Sequence, residues 1–335
     1  MNRRTALKGG AAAVALVALG LGGAIHFSRN KGSTKSDMIS GRWDLVGEGH
    51  WLLPGLRDAQ MFVPDRPHSK AEAMDAALRA KIKRLRRFSV NSNDWRMRGL
   101  RECTDAPAEG VFRIACLGDS VTFGWGVEDH EAWPALVEQR LRDRGVNAEV
   151  LNVGVPAQRV EAMCAWIRSA GPRLGLHGVV IAERVEGQRP EQYAKLVRDA
   201  LLYIAPAKAM LALPPISRFD ARGRESYRVE HRRLQESMGR TPVVELTDRL
   251  WAAQTETGVD LRVEGDSFVV FRRDTGEVLL EARHQGPDLP ASIYALFDED
   301  DSVKEPLFFD EGHPDAEGFH VFADGVVETM DSWFS

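Results

Sequence analysis

Three residues in this chain stand where they could work as one nucleophilic unit. Ser120 lies in the run Arg113-Ile-Ala-Cys-Leu-Gly118-Asp119-Ser120-Val-Thr-Phe-Gly124-Trp-Gly126. His313 and Asp310 lie in Phe309-Asp310-Glu-Gly-His313-Pro314-Asp-Ala-Glu-Gly318. A serine hydroxyl is a poor nucleophile until a neighbouring base takes its proton. His313 is a candidate base, and Asp310 could hold its imidazole tautomer and stabilise the charged ring. Together they would carry out acyl transfer through an acyl-enzyme. Taken singly, each block also has an ordinary reading: serine near glycine commonly marks a turn, and a lone histidine can be a surface turn residue.

Both blocks sit where an α/β chain would place a site. Val111–Leu117 reads as an apolar strand ending at Gly-Asp-Ser. Glu131–Arg144 follows as an amphipathic helix with Trp133, Leu136, Val137 and Leu141 on one face. Strands at Ala148–Asn152, Gly178–Ala182, Ala209–Leu213 and Pro242–Leu246 then alternate with helices at Arg159–Ala170, Glu191–Ile204 and Arg224–Met238. Pro314 to Trp333 reads as a closing helix with proline at its start. The alternation implies βαβ units and a mainly parallel sheet. Ligands bind at the carboxyl ends of such strands, which puts Ser120 at that edge. Residues 260–306 interrupt the pattern. Ser267–Phe271 and Glu277–Ala282 around Arg272-Arg273-Asp274-Thr275-Gly276 predict a β-hairpin, an insertion before the closing helix. Ahead of the first strand, Met74, Leu78, Ile82 and Leu85 recur at helical spacing. Lys81, Lys83, Arg84, Arg86 and Arg87 crowd the rest of that helix, as a solvated face or a contact with anionic envelope polymer or lipid.

The two blocks, in this order and strand context, resemble the SGNH/GDSL hydrolases. The resemblance covers roughly residues 88–250 and 307–334, and extends to Asn91-Ser-Asn-Asp-Trp-Arg96 and Ala132-Trp-Pro-Ala-Leu-Val137. It implies a three-layer α/β sandwich with a flavodoxin-like, mainly parallel sheet. It also implies Ser120 as nucleophile, His313 as base, Asp310 as its partner, and no cofactor. Two blocks depart from the family. Its second block usually ends in a glycine whose N–H helps form the oxyanion hole. Here the stretch is Asn152-Val-Gly154-Val-Pro-Ala157, so the expected donors are the backbone N–H groups of Ser120, Ala157 and Gly154, if the loop tolerates a Cβ. Its third block usually supplies an asparagine donor after the third strand. Here Val179-Val-Ile-Ala-Glu183-Arg184-Val-Glu186-Gly187 puts Glu186 at that place. A carboxylate there would oppose a developing oxyanion, and Arg184 is a candidate substitute donor. The ordinary reading is that Glu183, Arg184 and Glu186 form a solvated ion-pair cluster at the pocket rim.

The chain of 335 residues carries a net charge of −5 with 44% hydrophobic and 28% charged residues, an ordinary globular composition without the basic surplus of a nucleic-acid binder. Three cysteines, Cys103, Cys116 and Cys164, form neither a disulfide framework nor a zinc pattern; at most one pair, such as Cys103 with Cys164, could bridge. The acidic run Asp298-Glu299-Asp300-Asp301 lacks the spacing of a calcium loop, and His320 reads as a packing or surface residue.

Asn2-Arg3-Arg4-Thr5-Ala6-Leu7-Lys8 precedes an Ala/Gly/Val/Leu-rich run to about Phe27. This resembles a twin-arginine export signal, or an uncleaved membrane anchor; either would place the body in the periplasm or outside the cell. The expected organisation is therefore a signal or anchor over 1–27, a linker over 28–43, an N-terminal extension over 44–110 and the hydrolase domain over 111–335. The function these observations point to is an exported serine esterase acting on an acyl or acetyl ester of a small, carbohydrate or cell-envelope substrate. The alternatives are a catalytically weak carbohydrate-binding relative and an O-acyltransferase on the same fold.

Overall fold

A computed structural model of the chain describes residues 43–46, 49–64, 85–183, 189–218, 223–254, 258–264, 266–283, 291–299, 307–310 and 312–334. Its centre is a five-stranded, all-parallel sheet. The strands are β5 (Phe112–Gly118), β6 (Ala148–Gly154), β7 (Gly178–Ala182), β8 (Lys208–Leu213) and β9 (Val243–Glu245), arranged β6-β5-β7-β8-β9. Counted from the first strand of the sheet this is the flavodoxin-like order, in which the crevice lies between the first and third strands. The expected three-layer α/β architecture is the observed one.

Both faces of the sheet are covered, which is why its strands are apolar without alternation. Ile114 and Cys116 of β5, with Val180 and Met210, face α2 (Trp133–Asp143), α7 (Thr247–Ala253) and the closing α9 (Ala316–Thr329). Ala115 and Leu117, with Val179 and Leu211, face α3 (Val160–Ser169), α4 (Gly171–Leu174), α5 (Pro190–Leu201) and α6 (Gly223–Met238). Trp133 and Phe322 join α2 to α9 with ring centroids 5.4 Å apart. Each fully buried side chain of this size contributes roughly 1.5–3 kcal/mol of transfer free energy.

The segment before the sheet differs from its sequence pattern. Helical spacing over Met74 to Leu85 falls mostly on residues outside those described, and Leu85 itself opens a strand. The described part is two antiparallel ribbons: β1 (Trp43–Val46) with β2 (Gly49–Leu52), and β3 (Ala59–Pro64) with β4 (Leu85–Val90). Leu52, Met61, Val63, Phe88 and Val90 of these ribbons pack on Phe123 and Trp125, immediately beyond Ser120. The apolar cluster of these strands therefore joins the extension's own residues to two residues of the α/β unit. The insertion also differs. The expected hairpin is β11 (Ser267–Arg272) with β12 (Val278–Arg283), and a third strand, β10 (Val259–Glu264), pairs with β11. Val259, Leu261, Phe268 and Val270, with Ile293 of α8 (Ala291–Glu299), give it a small core of its own.

All three cysteines are free and buried. Burial pushes the Cys103 thiol up to about 11 and the Cys164 thiol up to about 12, and holds Cys116 well above the ordinary range. Since the thiolate is the reactive species, a disulfide-exchange reagent at pH 8 is expected to leave the folded protein unlabelled and to titrate all three thiols after denaturation. Rapid labelling of the native chain would contradict this packing.

Candidate active site

The Gly-Asp-Ser block crosses from β5 into a single helical turn, α1 (Ser120–Phe123). A Cβ on Gly118 would stand 2.0 Å from Thr122 Oγ1 and 2.2 Å from the Ala182 carbonyl oxygen, so only glycine fits where β5 meets β7. Asp119 caps the turn, its Oδ1 accepting from the Val121 N–H at 2.9 Å. Ser120 is then the first helical residue, and its N–H is one of the donors a helical start leaves without an intrahelical partner. The Ser120 carbonyl accepts from Gly124 N–H at 3.1 Å and Trp125 N–H at 3.0 Å. Gly124 and Gly126 follow in the left-handed region, at φ 85° and 87°, and a side chain on Gly126 would strike the Phe309 ring at 2.7 Å.

The second block arrives from the loop before α9. The Phe309 N–H donates to the His313 carbonyl at 2.8 Å, closing a tight turn around Asp310. Asp310 Oδ1 accepts from the Gly312 and His313 N–H groups, each at 2.8 Å. Asp315 caps α9, accepting from Gly318 N–H at 2.8 Å, and a Cβ on Gly318 would meet the Leu307 carbonyl oxygen at 2.3 Å. The two blocks, 193 residues apart, meet at the carboxyl edge of the sheet: His313 Nε2 lies 2.7 Å from Ser120 Oγ, and His313 Nδ1 lies 2.5 Å from Asp310 Oδ2. Asp310 and His313 are buried, whereas Ser120 is half-buried and reachable. With Oδ1 held by two backbone donors, Oδ2 is aimed at Nδ1. This fixes the tautomer whose Nε2 lone pair faces the serine hydroxyl. Trp125 packs against the imidazole with ring centroids 6.3 Å apart. Sequence reasoning passed over Trp125, although a large aromatic between Gly124 and Gly126 was a signal for it.

At the second block, Ala157 is exposed and takes φ 57°, a left-handed backbone that glycine adopts freely and alanine does not. The Gly154 N–H is occupied instead by Asn152 Oδ1 at 3.0 Å. Gly154 is also required for packing, since a Cβ would lie 2.1 Å from Phe123 N. Ala157→Gly is thus expected to stabilise the protein by about 1 kcal/mol in urea melts, because the left-handed strain is relieved. A less stable Ala157→Gly protein would contradict the left-handed assignment.

Arg184 and Glu186, the residues expected at the altered third block, lie outside the described residues. Glu183 is described, and it corrects the expectation of a solvated cluster: it is buried, directly after β7. It acts electrostatically on the fully buried Tyr193 of α5, whose phenol is pushed well above its ordinary range by burial first and the Glu183 carboxylate second. Among the described residues no cluster of histidine, cysteine or carboxylate side chains could hold a metal ion, and no helix is long and apolar enough to cross a membrane.

No family model and no curated protein matches the chain. Solved structures do. The acetyl xylan esterase AlAXEase is 14% identical, with 65% of this chain and 99% of its own covered at a TM-score of 0.42. LAE5, an alpha/beta hydrolase enzyme from the metagenome of Lake Arreo, Spain, is 15% identical over 67% of this chain and 97% of its own, also at 0.42. AlinE4, an SGNH-hydrolase family esterase, is 21% identical over 41% and 77%, at 0.33. In this chain the sheet order, the Gly-Asp-Ser turn leaving β5 and the Asp-x-x-His loop entering the last helix make an SGNH/GDSL hydrolase-like fold.

Proposed function

We propose that this protein is a serine esterase which hydrolyses an acyl or acetyl ester, on a carbohydrate or cell-envelope substrate, after export across the cytoplasmic membrane. The observation that carries the reading is the hydrogen-bonded line from Ser120 Oγ through His313 to Asp310, at 2.7 and 2.5 Å. Ser120 Oγ attacks the ester carbonyl as His313 Nε2 takes its proton. The Ser120 and Ala157 N–H groups stabilise the oxyanion, and His313 returns the proton to the leaving alcohol. Water, activated by the same imidazole, then releases the acid. The substrate class follows from the family resemblance of the sequence blocks, and export from Arg3-Arg4 ahead of an Ala/Gly-rich run.

A fluorophosphonate probe tests the core of this reading: wild type is expected to be labelled and Ser120→Ala to be unlabelled. Equal labelling of both, or of neither, would defeat it. Export is tested separately by changing Arg3 and Arg4 to lysine, which is expected to retain the protein in the cytoplasm.

One observation favours a second reading, a carbohydrate-binding relative of low turnover. Buried Glu183 opens the stretch from which the family draws its side-chain donor, and losing one such donor costs on the order of 10²–10³ in rate. Stoichiometric labelling with slow turnover would favour it.

A further inference from the structure

Resting on the esterase reading above, we propose that Arg98 is a positioning residue that clamps the nucleophile turn to the exit of β6 and thereby sets the attack geometry of Ser120. Arg98 precedes the α/β unit and its side chain is only 1% exposed. Nη1 donates to the Phe123 carbonyl at 2.5 Å and the Gly124 carbonyl at 2.7 Å. Nη2 donates to the Val127 carbonyl at 2.6 Å and the Ser89 carbonyl at 3.3 Å. Nε donates to Asp129 Oδ1 at 2.6 Å. A guanidinium has five N–H donors in a fixed fork, and each has a partner here. The group also lies over the Phe123 ring, 4.6 Å from its centroid.

The carbonyls it holds belong to the turn that positions the triad. The peptide groups whose oxygens it takes, Phe123 and Gly124, present their N–H groups, those of Gly124 and Trp125, to the Ser120 carbonyl. Trp125 lies against the His313 imidazole, and Gly126 against Phe309, next to Asp310. On the other side, the Arg98 backbone N–H donates to the Asn152 carbonyl at 2.9 Å. The Asn152 side chain donates to the same Phe123 carbonyl at 3.4 Å and accepts from the Gly154 N–H at 3.0 Å. One residue thus ties the turn that carries the nucleophile to the loop that leads to Ala157. Gly124 must be glycine to allow this, since a Cβ there would stand 2.8 Å from Arg98 Nη1.

Burying a guanidinium is costly, and an apolar side chain of similar volume commonly stabilises such a site as well or better. Geometry is what the arginine adds. Lysine, a point charge with three donors, cannot span four carbonyls and a carboxylate. Displacements on the order of 1 Å at reacting atoms cost about 10²-fold in rate.

The experiment measures kcat and KM for 4-nitrophenyl acetate, and the rate of fluorophosphonate labelling, on wild type, Arg98→Lys and Arg98→Ala. Fold is monitored by circular dichroism. Arg98→Lys is expected to lose about 10²-fold in kcat with KM nearly unchanged. Millimolar ethylguanidinium is expected to restore about tenfold of the activity to Arg98→Ala, and ethylammonium to restore none. Folded Arg98→Lys protein with the wild-type kcat would overturn the proposal. So would Arg98→Lys protein that is unfolded, since the arginine would then serve the fold alone. If Arg98→Ala does not fold, the Arg98→Lys kinetics decide. A wild type that neither hydrolyses the ester nor accepts the probe would overturn the esterase reading itself, and this proposal with it.

Discussion

Ser120→Ala is expected to remove more than about 10³ of the esterase rate and to leave the fold intact. The residual catalysis of such sites comes only from substrate binding and the oxyanion hole. Nothing else within this geometry replaces the hydroxyl: Ser120 Oγ is the atom 2.7 Å from His313 Nε2, and the neighbouring hydroxyl of Thr122 is buried and turned toward the carbonyls of Leu117 and Ala182. The change removes one oxygen from a half-buried position, so the melting temperature should move little. The check is hydrolysis of a short-chain aryl ester by both proteins purified side by side. A mutant within tenfold of wild type would mean that the chemistry lies elsewhere.

Asp310→Asn is expected to lower kcat by about 10⁴, with the isosteric side chain keeping the loop in place. The argument turns on which oxygen does what. Oδ1 accepts from the Gly312 and His313 N–H groups, and Oδ2 faces His313 Nδ1. An asparagine that keeps its oxygen on the two backbone donors must aim its NH₂ at Nδ1. Nδ1 must then be the acceptor, the ring proton moves to Nε2, and the imidazole can no longer take the serine proton. The opposite flip would turn the NH₂ onto two N–H donors in a buried turn, leaving donors unpaired at about 1–3 kcal/mol each. The first arrangement therefore wins, and it is inactive. Retention of more than a tenth of the wild-type kcat would show that Asp310 does not set the tautomer.

How much of this was legible in the residues differs from element to element. Each triad candidate could be read from its own block, because glycine at Gly118, the Gly124-Trp125-Gly126 run and Pro314 mark sharp turns whose local chemistry is written in residue type. The parallel sheet was legible for a related reason: strands covered on both faces are unbroken apolar runs, as in β5 and β6. The ribbon strands β2 to β4 were not legible, since they pack partly on Phe123 and Trp125, which are distant in the chain, and no period within the segment reveals that. Glu183 is buried within reach of Tyr193 of α5, and a sequence lists a charge without its depth. The left-handed backbone of Ala157 comes from the closure of the loop, against the preference of its own residue type. Arg98 was the least legible, because its partners are mainly backbone carbonyls, which every residue carries and none announces. Residue type and short-range pattern were enough to pick out the residues that can do chemistry and the runs that form the sheet. That a serine and a histidine 193 residues apart stand 2.7 Å from each other could not be read that way, because the distance is set by long-range packing of β5 against its neighbours and of the closing helix against the sheet.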